Sequence, residues 1–243
     1  MLKEFIAHIQ ETTRPQIIEI AESTFSISAN GDAKEIRPAI DHPDTLSLHS
    51  LDALVKMVQT EAVILAAPIY INIPDHLTVR CFGQPNPDAR YFRQFYYESK
   101  AVDVPGWDEK VTMSFDEMQI ALRTRFQQTQ DMPYVQKLLS EISTGAKVTF
   151  NDSGVATTIV TKKGIDLQAN ETIKPIVTLR PYRTFQEVDQ PESVFLIRIN
   201  DRGITFVEAD GGMWKLKARE TVKAFLEAAL AEEVAVGQVI VAL

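Results

Sequence analysis

The 243-residue sequence has a single cysteine, Cys81, which excludes an internal disulfide and a thiolate metal cluster. It has no excess of positive charge. With 33 acidic and 25 basic side chains the formal charge is −8, so the footprint of a general nucleic-acid or anionic-membrane binder is missing. It also lacks a long apolar run. The longest, Ala62 to Ile73, contains Pro68 and Asn72 and is too short to span a bilayer. Met1 to Thr12 mixes Lys3, Glu4, His8 and Glu11 with apolar residues, unlike a signal peptide. Of the histidines only His42 and His49 lie near each other, on either side of a predicted strand, and metal-ligand spacing is absent. There is no Gly-x-Ser-x-Gly elbow and no Gly-Lys-Ser/Thr phosphate loop. A Ser–His–Asp set assembled in space would leave no such trace. These absences predict a soluble, acidic chain of a reducing cytoplasm, non-enzymatic, with no cofactor, no metal and no membrane partner.

What is present is a well-patterned α+β chain. Leu2, Phe5, Ile6 and Ile9 have helical spacing, ended by Thr12–Thr13–Arg14–Pro15. Gln16–Ala21, Thr24–Ser28 and Lys34–Pro38 read as strands, the last two joined by the turn Asn30–Gly31–Asp32. A short strand at Thr45–Leu48 precedes a helix with Leu51, Leu54, Val55 and Val58 on one face and Ser50 as N-cap. Val63–Ile73, Leu77–Phe82 and the aromatic-rich Ala89–Val104 are predicted strands, the last with a helical alternative, and Cys81 reads as a buried thiol. Ser114–Phe115–Asp116–Glu117 is a capping box opening a helix, and Asp131 caps a second with Pro133 in its first turn and Gly145 as its stop. From Lys147 the period is β again, with turns at Asn151–Gly154, Lys162–Gly164, Asn200–Gly203 and Asp210–Gly212. Met213–Leu216 reads as a short strand, and Val222, Phe225, Leu226, Ala229 and Leu230 mark an amphipathic helix before a closing strand, Gln238–Leu243.

The predicted fold class is therefore α+β, with antiparallel sheets and a few amphipathic helices. The predicted division is 1–104 as an N-terminal α+β unit, 105–144 as a helical pair and 145–243 as a C-terminal α+β unit. The end units share a strand-strand-strand-helix-strand order. They are either two similar units around the helical pair or two instances of a common meander with a trailing helix.

The densest cationic and aromatic stretch is Thr178–Phe185, and it supplies the candidate ligand-binding residues Arg180, Tyr182 and Arg183. Guanidinium groups grip phosphate or carboxylate with two bonds, and a neighbouring Tyr can stack on a base. Strand alternation puts Arg180 and Tyr182 on one face and Arg183 on the other, so the competing reading is a structural ion pair with Glu187 or Asp189. The Tyr91–Tyr97 aromatics could stack on bases or pack a sheet face. Glu208 and Asp210 share a strand face and could share a metal, or form a solvated strand end. Gly211–Gly212 runs into Trp214 and a predicted strand, which reads as a β-turn rather than a phosphate loop.

Thr178–Phe185, Gln190–Phe195, Glu208–Lys215, Thr45–Leu54 and Met113–Gln119 resemble segments of uncharacterised tailed-phage and prophage proteins, and the layout is similar to the YfdQ-like prophage family. The resemblance brings no activity and no functional residues. It implies a phage-encoded accessory protein made in the bacterial host cytoplasm. Two functions are expected from it and from the residues. One is a non-enzymatic binding protein that sequesters a small nucleotide signal of host antiphage defence, as a homo-oligomer whose strand edges are covered. The alternative is a structural or protein-interaction accessory factor in phage replication, recombination or assembly. An enzyme acting on nucleotides or nucleic acid is disfavoured by the charge.

Overall fold

The computed structural model describes residues 3–4, 16–20, 23–28, 30–36, 44–65, 67–87, 91–107, 111–144, 148–152, 157–163, 166–167, 171–172, 174–200 and 202–243. The helix expected from Leu2, Phe5, Ile6 and Ile9, the helix stop at Gly145 and the turn residues Gly154 and Gly164 lie outside them. Two compact units divide the chain, Met1–Pro43 and Asp44–Leu243.

In the first unit β1 (Gln16–Ile20), β2 (Ser23–Ile27) and β3 (Ala33–Ile36) form an antiparallel meander. Its second turn places Gly31 at φ +86°, a left-handed conformation that suits glycine, and Ser28 Oγ accepts the Asp32 N–H at 3.1 Å. The turn is the one that Asn30–Gly31–Asp32 predicts.

The second unit holds two cores. One is built on a five-stranded sheet in the order β16-β5-β6-β7-β4. These strands are β4 (Leu46–Leu48), β5 (Ile69–Asp75), β6 (Thr78–Asn86), β7 (Phe92–Lys100) and β16 (Val239–Ala242). The helices α1 (Leu51–Ala62) and α4 (Trp214–Ala229) pack against it, and α5 (Ala231–Ala235) adjoins β16. Leu51, Leu54 and Val58 of α1 meet Ile71, Val79 and Cys81 of the sheet and Val222 and Leu226 of α4. Burial pushes the Cys81 thiol far above its ordinary range, which fits a packed thiol and not a nucleophile.

The other core lies under a four-stranded antiparallel sheet in the order β15-β14-β13-β8. Its strands are β8 (Phe126–Gln127), β13 (Ile176–Pro181), β14 (Ser193–Asn200) and β15 (Gly203–Glu208). The predicted helical pair, α2 (Phe115–Thr124) and α3 (Met132–Thr144), covers it with Met118, Leu122 and Leu139 against Val177, Leu179, Phe195 and Phe206. The capping box is formed: Ser114 N–H donates to Glu117 Oε2 at 3.0 Å, and Glu117 N–H to Ser114 Oγ at 3.3 Å. Between the helical pair and β13, β9 (Val148–Asp152), β10 (Thr157–Lys163), β11 (Asp166–Leu167) and β12 (Glu171–Thr172) make a small antiparallel sheet.

The fold class is α+β. The five-stranded sheet is mixed rather than antiparallel, because β16 pairs parallel with β5 and β4 parallel with β7. The division at residues 104/105 and 144/145 does not follow the packing. Val222, Leu226, Leu230 and Val239 from the C-terminal stretch complete the core begun by Leu51 and Leu54. A helix covers only part of a five-stranded sheet, so α1 leaves room that α4 fills. The two similar strand orders at the chain's ends are therefore not two separate units. Among the described residues no helix is long and apolar enough to cross a membrane.

Asp131 does more than precede α3. Its carboxylate accepts from Lys174 Nζ at 2.7 Å and from the Thr178 N–H at 2.7 Å, tying α3 to β13. The Lys174 bond first, then the Thr178 amide, holds its carboxyl below the usual carboxylate range. A lowered folded pKa adds stability above the unfolded value, which is lost as pH falls through the folded one. Asp131→Asn should accordingly cost about 1 kcal/mol at neutral pH. The gap between variant and wild type should close as pH drops below about 4, as read by urea denaturation at stepped pH. A gap independent of pH would refute this account of Asp131.

Candidate functional site

Thr178–Phe185 links the two cores. Leu179 is buried in the four-stranded sheet's core and Phe185 in the five-stranded sheet's core. Pro181 ends β13, and the chain is held at the exit by Tyr182 N–H donating to Arg125 O at 2.9 Å. Beyond it, Gln190 shapes the loop from inside. Its Oε1 accepts the N–H groups of Arg183 and Thr184 at 2.8 and 3.0 Å, and its Nε2 donates to the carbonyls of Phe185 and Val188 at 2.8 and 3.2 Å. Thr184 hydroxyl donates to His76 O in the β5–β6 turn.

Alternation continues through this exit, and it separates the two arginines. Arg183 is 5% exposed. Its guanidinium pairs with the Glu208 carboxylate, donates to Ser193 Oγ at 3.1 Å and lies 4.4 Å from the centre of the Trp214 ring. Trp214 Nε1 donates to the other Glu208 oxygen at 3.2 Å, and His76 meets the same ring edge-on at 4.8 Å. Burial, opposed by Asp75, lowers the His76 pKa. The expected partners of Arg183, Glu187 and Asp189, are replaced by Glu208. Glu187 instead accepts the Leu51 N–H at 2.7 Å, at the first turn of α1. Arg183 is thus a structural residue in this geometry.

Arg180 faces the other way, into an open groove of about 770 Å³. The walls are β13 and β14, the 189–192 loop and the first turns of α4. Its Nη2 donates to Glu192 at 2.7 Å, while its buried Nε has no acceptor among the described residues. Tyr182 is half-buried and does not line the groove. Of the three residues predicted as one site, only Arg180 is in it. The groove contributes two cations, Arg180 and Lys217, and four carboxylates, Asp189, Glu192, Asp210 and Glu220, a surplus of two negative charges. Ser193, Thr178 and Thr221 add hydroxyls, and Met213 and Leu216 add exposed apolar surface.

Met213–Leu216 is not a strand. The turn Asp210–Gly211–Gly212 runs directly into α4, with both glycines left-handed at φ +64° and +79°. Trp214, Ala218, Val222 and Leu226 are one continuous buried stripe at helical spacing. A short apolar stretch after a Gly-Gly turn imitates a strand when it is read apart from the helix that it starts. The first turn of α4 carries no acidic residue and no side-chain cap. Glu208 is committed to Arg183 and Trp214, and Asp210 Oδ1 to the Gly212 N–H at 3.0 Å. They do not converge, and the described residues contain no cluster that could hold a metal.

Of the Tyr91–Tyr97 aromatics, Tyr91 and Phe92 are exposed and the other three pack on the sheet. Phe95 stacks on Phe82 at 5.0 Å and Tyr97 is buried.

No family model, no curated protein and no solved structure matches the chain.

Proposed function

We propose that this chain is a non-enzymatic binding protein and that the groove beside Arg180 takes a nucleotide carrying a single phosphodiester or phosphomonoester. The observation that carries the reading is Arg180 itself, whose guanidinium lines the groove, is part-exposed there and is paired with the half-exposed Glu192, an arrangement in which a phosphoryl group can take a charge-assisted bond. The carboxylates around it suit ribose hydroxyls and base amines, and Met213 and Leu216 offer a surface for a ring. The same surplus of carboxylates disfavours a triphosphate. In the phage setting that the sequence resembles, such a ligand would be a nucleotide signal of host antiphage defence, sequestered in the bacterial cytoplasm.

Calorimetry against cyclic mononucleotides, with a cyclic dinucleotide and ATP as the more highly charged controls, tests this. The cyclic mononucleotides should bind and the controls should bind more weakly. Arg180→Gln should weaken binding roughly 10- to 100-fold, the worth of one or two charge-assisted hydrogen bonds. No binding of any nucleotide by the folded protein would refute the reading. A second reading, a protein-interaction accessory factor, is favoured by Ile17 and Ile20 on the first unit's meander, 66% and 56% exposed. Recovery of a stoichiometric protein partner from infected cells, without nucleotide, would select it.

A further inference from the structure

Strand β16 ends the five-stranded sheet, and its four residues carry neither a charge nor a proline. Such edges are ordinarily blunted by charge, proline, a bulge or extreme shortness. Among the described strands, the other sheet edges longer than three residues each carry charge: Glu19 in β1, Lys34 and Glu35 in β3, Asp152 in β9 and Glu208 in β15. The β15 edge is further closed by Met113, which exchanges two backbone hydrogen bonds with Ile204. At the opposite edge of the same sheet β4 is three residues long. From Val236 to Leu243 the chain is Val-Gly-Gln-Val-Ile-Val-Ala-Leu, without a charge or a proline.

The ladder fixes which groups β5 leaves unpaired. Ile69 N–H donates to Gln238 O at 2.8 Å, and Val239 to Ala242 run parallel to Ile69 to Asn72. In a parallel pair alternate residues bond to the neighbour. Gln238, Ile240 and Ala242 therefore face β5, and Val239, Val241 and Leu243 turn their N–H and C=O groups outward. Val239 and Val241 belong to the core beneath α4, whereas Ile240 is 42% exposed on the opposite face.

We propose that β16 pairs antiparallel with β16 of a second copy of this chain across a two-fold axis at Val241. A strand that opposes itself sets a charge at the axis against its own copy and crowds any others around it, so charge-free sequence suits self-pairing. The outward groups match in one register: Val241 opposite Val241 of the second copy, and Val239 opposite its Leu243, each pair exchanging two hydrogen bonds. Ile240 then lies across from Ala242 of the second copy, covering the exposed apolar side chains of both. The two five-stranded sheets become one continuous sheet.

Val241→Pro separates this interface from the fold. It deletes the outward N–H at the axis and leaves the β5 ladder, which uses Ile240 and Ala242, intact. In sedimentation velocity over a range of concentrations, the wild-type chain should show twice the mass of the 243-residue chain. Val241→Pro should keep the wild-type circular dichroism and raise the dimer dissociation constant at least about tenfold. Should the proline variant not fold, Ile240→Lys combined with Ala242→Lys places ammonium groups opposite each other on the exposed face and should produce the same monomer. A wild-type chain that is monomeric at every concentration overturns the proposal, as does an oligomer that survives in a folded variant.

Discussion

Arg183→Met is expected to cost about 3–5 kcal/mol of folding stability, the range for breaking a buried ion pair from one side. The substitution leaves the Glu208 carboxylate in a site only 13% exposed without its guanidinium, and it removes the cation stacked on Trp214. Most of that loss is the burden of an uncompensated buried charge rather than the worth of the contact. It follows that Arg183→Met combined with Glu208→Gln should recover a large part of it, since a neutral amide can still accept from Trp214 Nε1 through its oxygen. Urea denaturation followed by tryptophan fluorescence reads the effect, because Trp214 stands in the network and Trp107 in the other core's periphery. A single-variant loss below about 1 kcal/mol would mean that Arg183 is solvated, contrary to its burial. Arg180→Gln serves as the internal contrast. Its partner Glu192 is half exposed, so stability should move by less than about 1 kcal/mol, while the proposed nucleotide binding should weaken roughly 10- to 100-fold. The pair of variants assigns the two arginines of one short stretch to two different tasks.

The local grammar of this chain was readable and its long-range assembly was not. Ser114 and Glu117 announce their helix because both halves of the capping box are four residues apart at most, and the Asn30–Gly31–Asp32 turn is equally local. Alternation in β13 correctly assigned Arg180 and Arg183 to opposite sides. What it could not supply was which side was interior, because that depends on Glu208 and Trp214, contributed by β15 and α4. The groove is equally scattered in sequence, joining Arg180, Ser193, Asp210 and Lys217 through four elements and loops. Strand order has the same cause. Val239–Ala242 reads as an apolar strand anywhere, and only the unfilled edge of β5 determines that it joins a sheet begun near residue 69. The three-part division failed for that reason, since a composition break at Pro105–Gly106 marks a loop and carries no information about which core later residues complete.

Gly203→Ala is the other large effect, and it arises where that assembly is tightest. Gly203 is buried with φ +138°, a conformation that side chains rarely adopt, and an added Cβ would stand 2.0 Å from Met113 O and 2.8 Å from its carbonyl carbon. Backbone cannot swing aside as a flexible side chain can, and this backbone is pinned. Met113 N–H donates to Ile204 O at 2.9 Å and Ile204 N–H to Met113 O at 2.8 Å. The next residue is Ser114, the N-cap of α2, so displacing Met113 also disturbs the capping box. Conformational strain of about 1–3 kcal/mol and the loss of one or both bridge bonds at about 1 kcal/mol each give an expected cost of about 3 kcal/mol or more. Gly211→Ala is the control for strain alone. Gly211 is left-handed at φ +64°, yet nothing lies within 4 Å of where its Cβ would be, so about 1–2 kcal/mol is expected there. Urea denaturation of the two variants, with hydrogen exchange at the Met113 and Ile204 amides, separates the contributions. Faster exchange at both amides in Gly203→Ala alone locates the damage at the crossing of α2's entry and β15. Equal stability of the two variants would show that the close approach of Met113 to Gly203 contributes nothing to the fold.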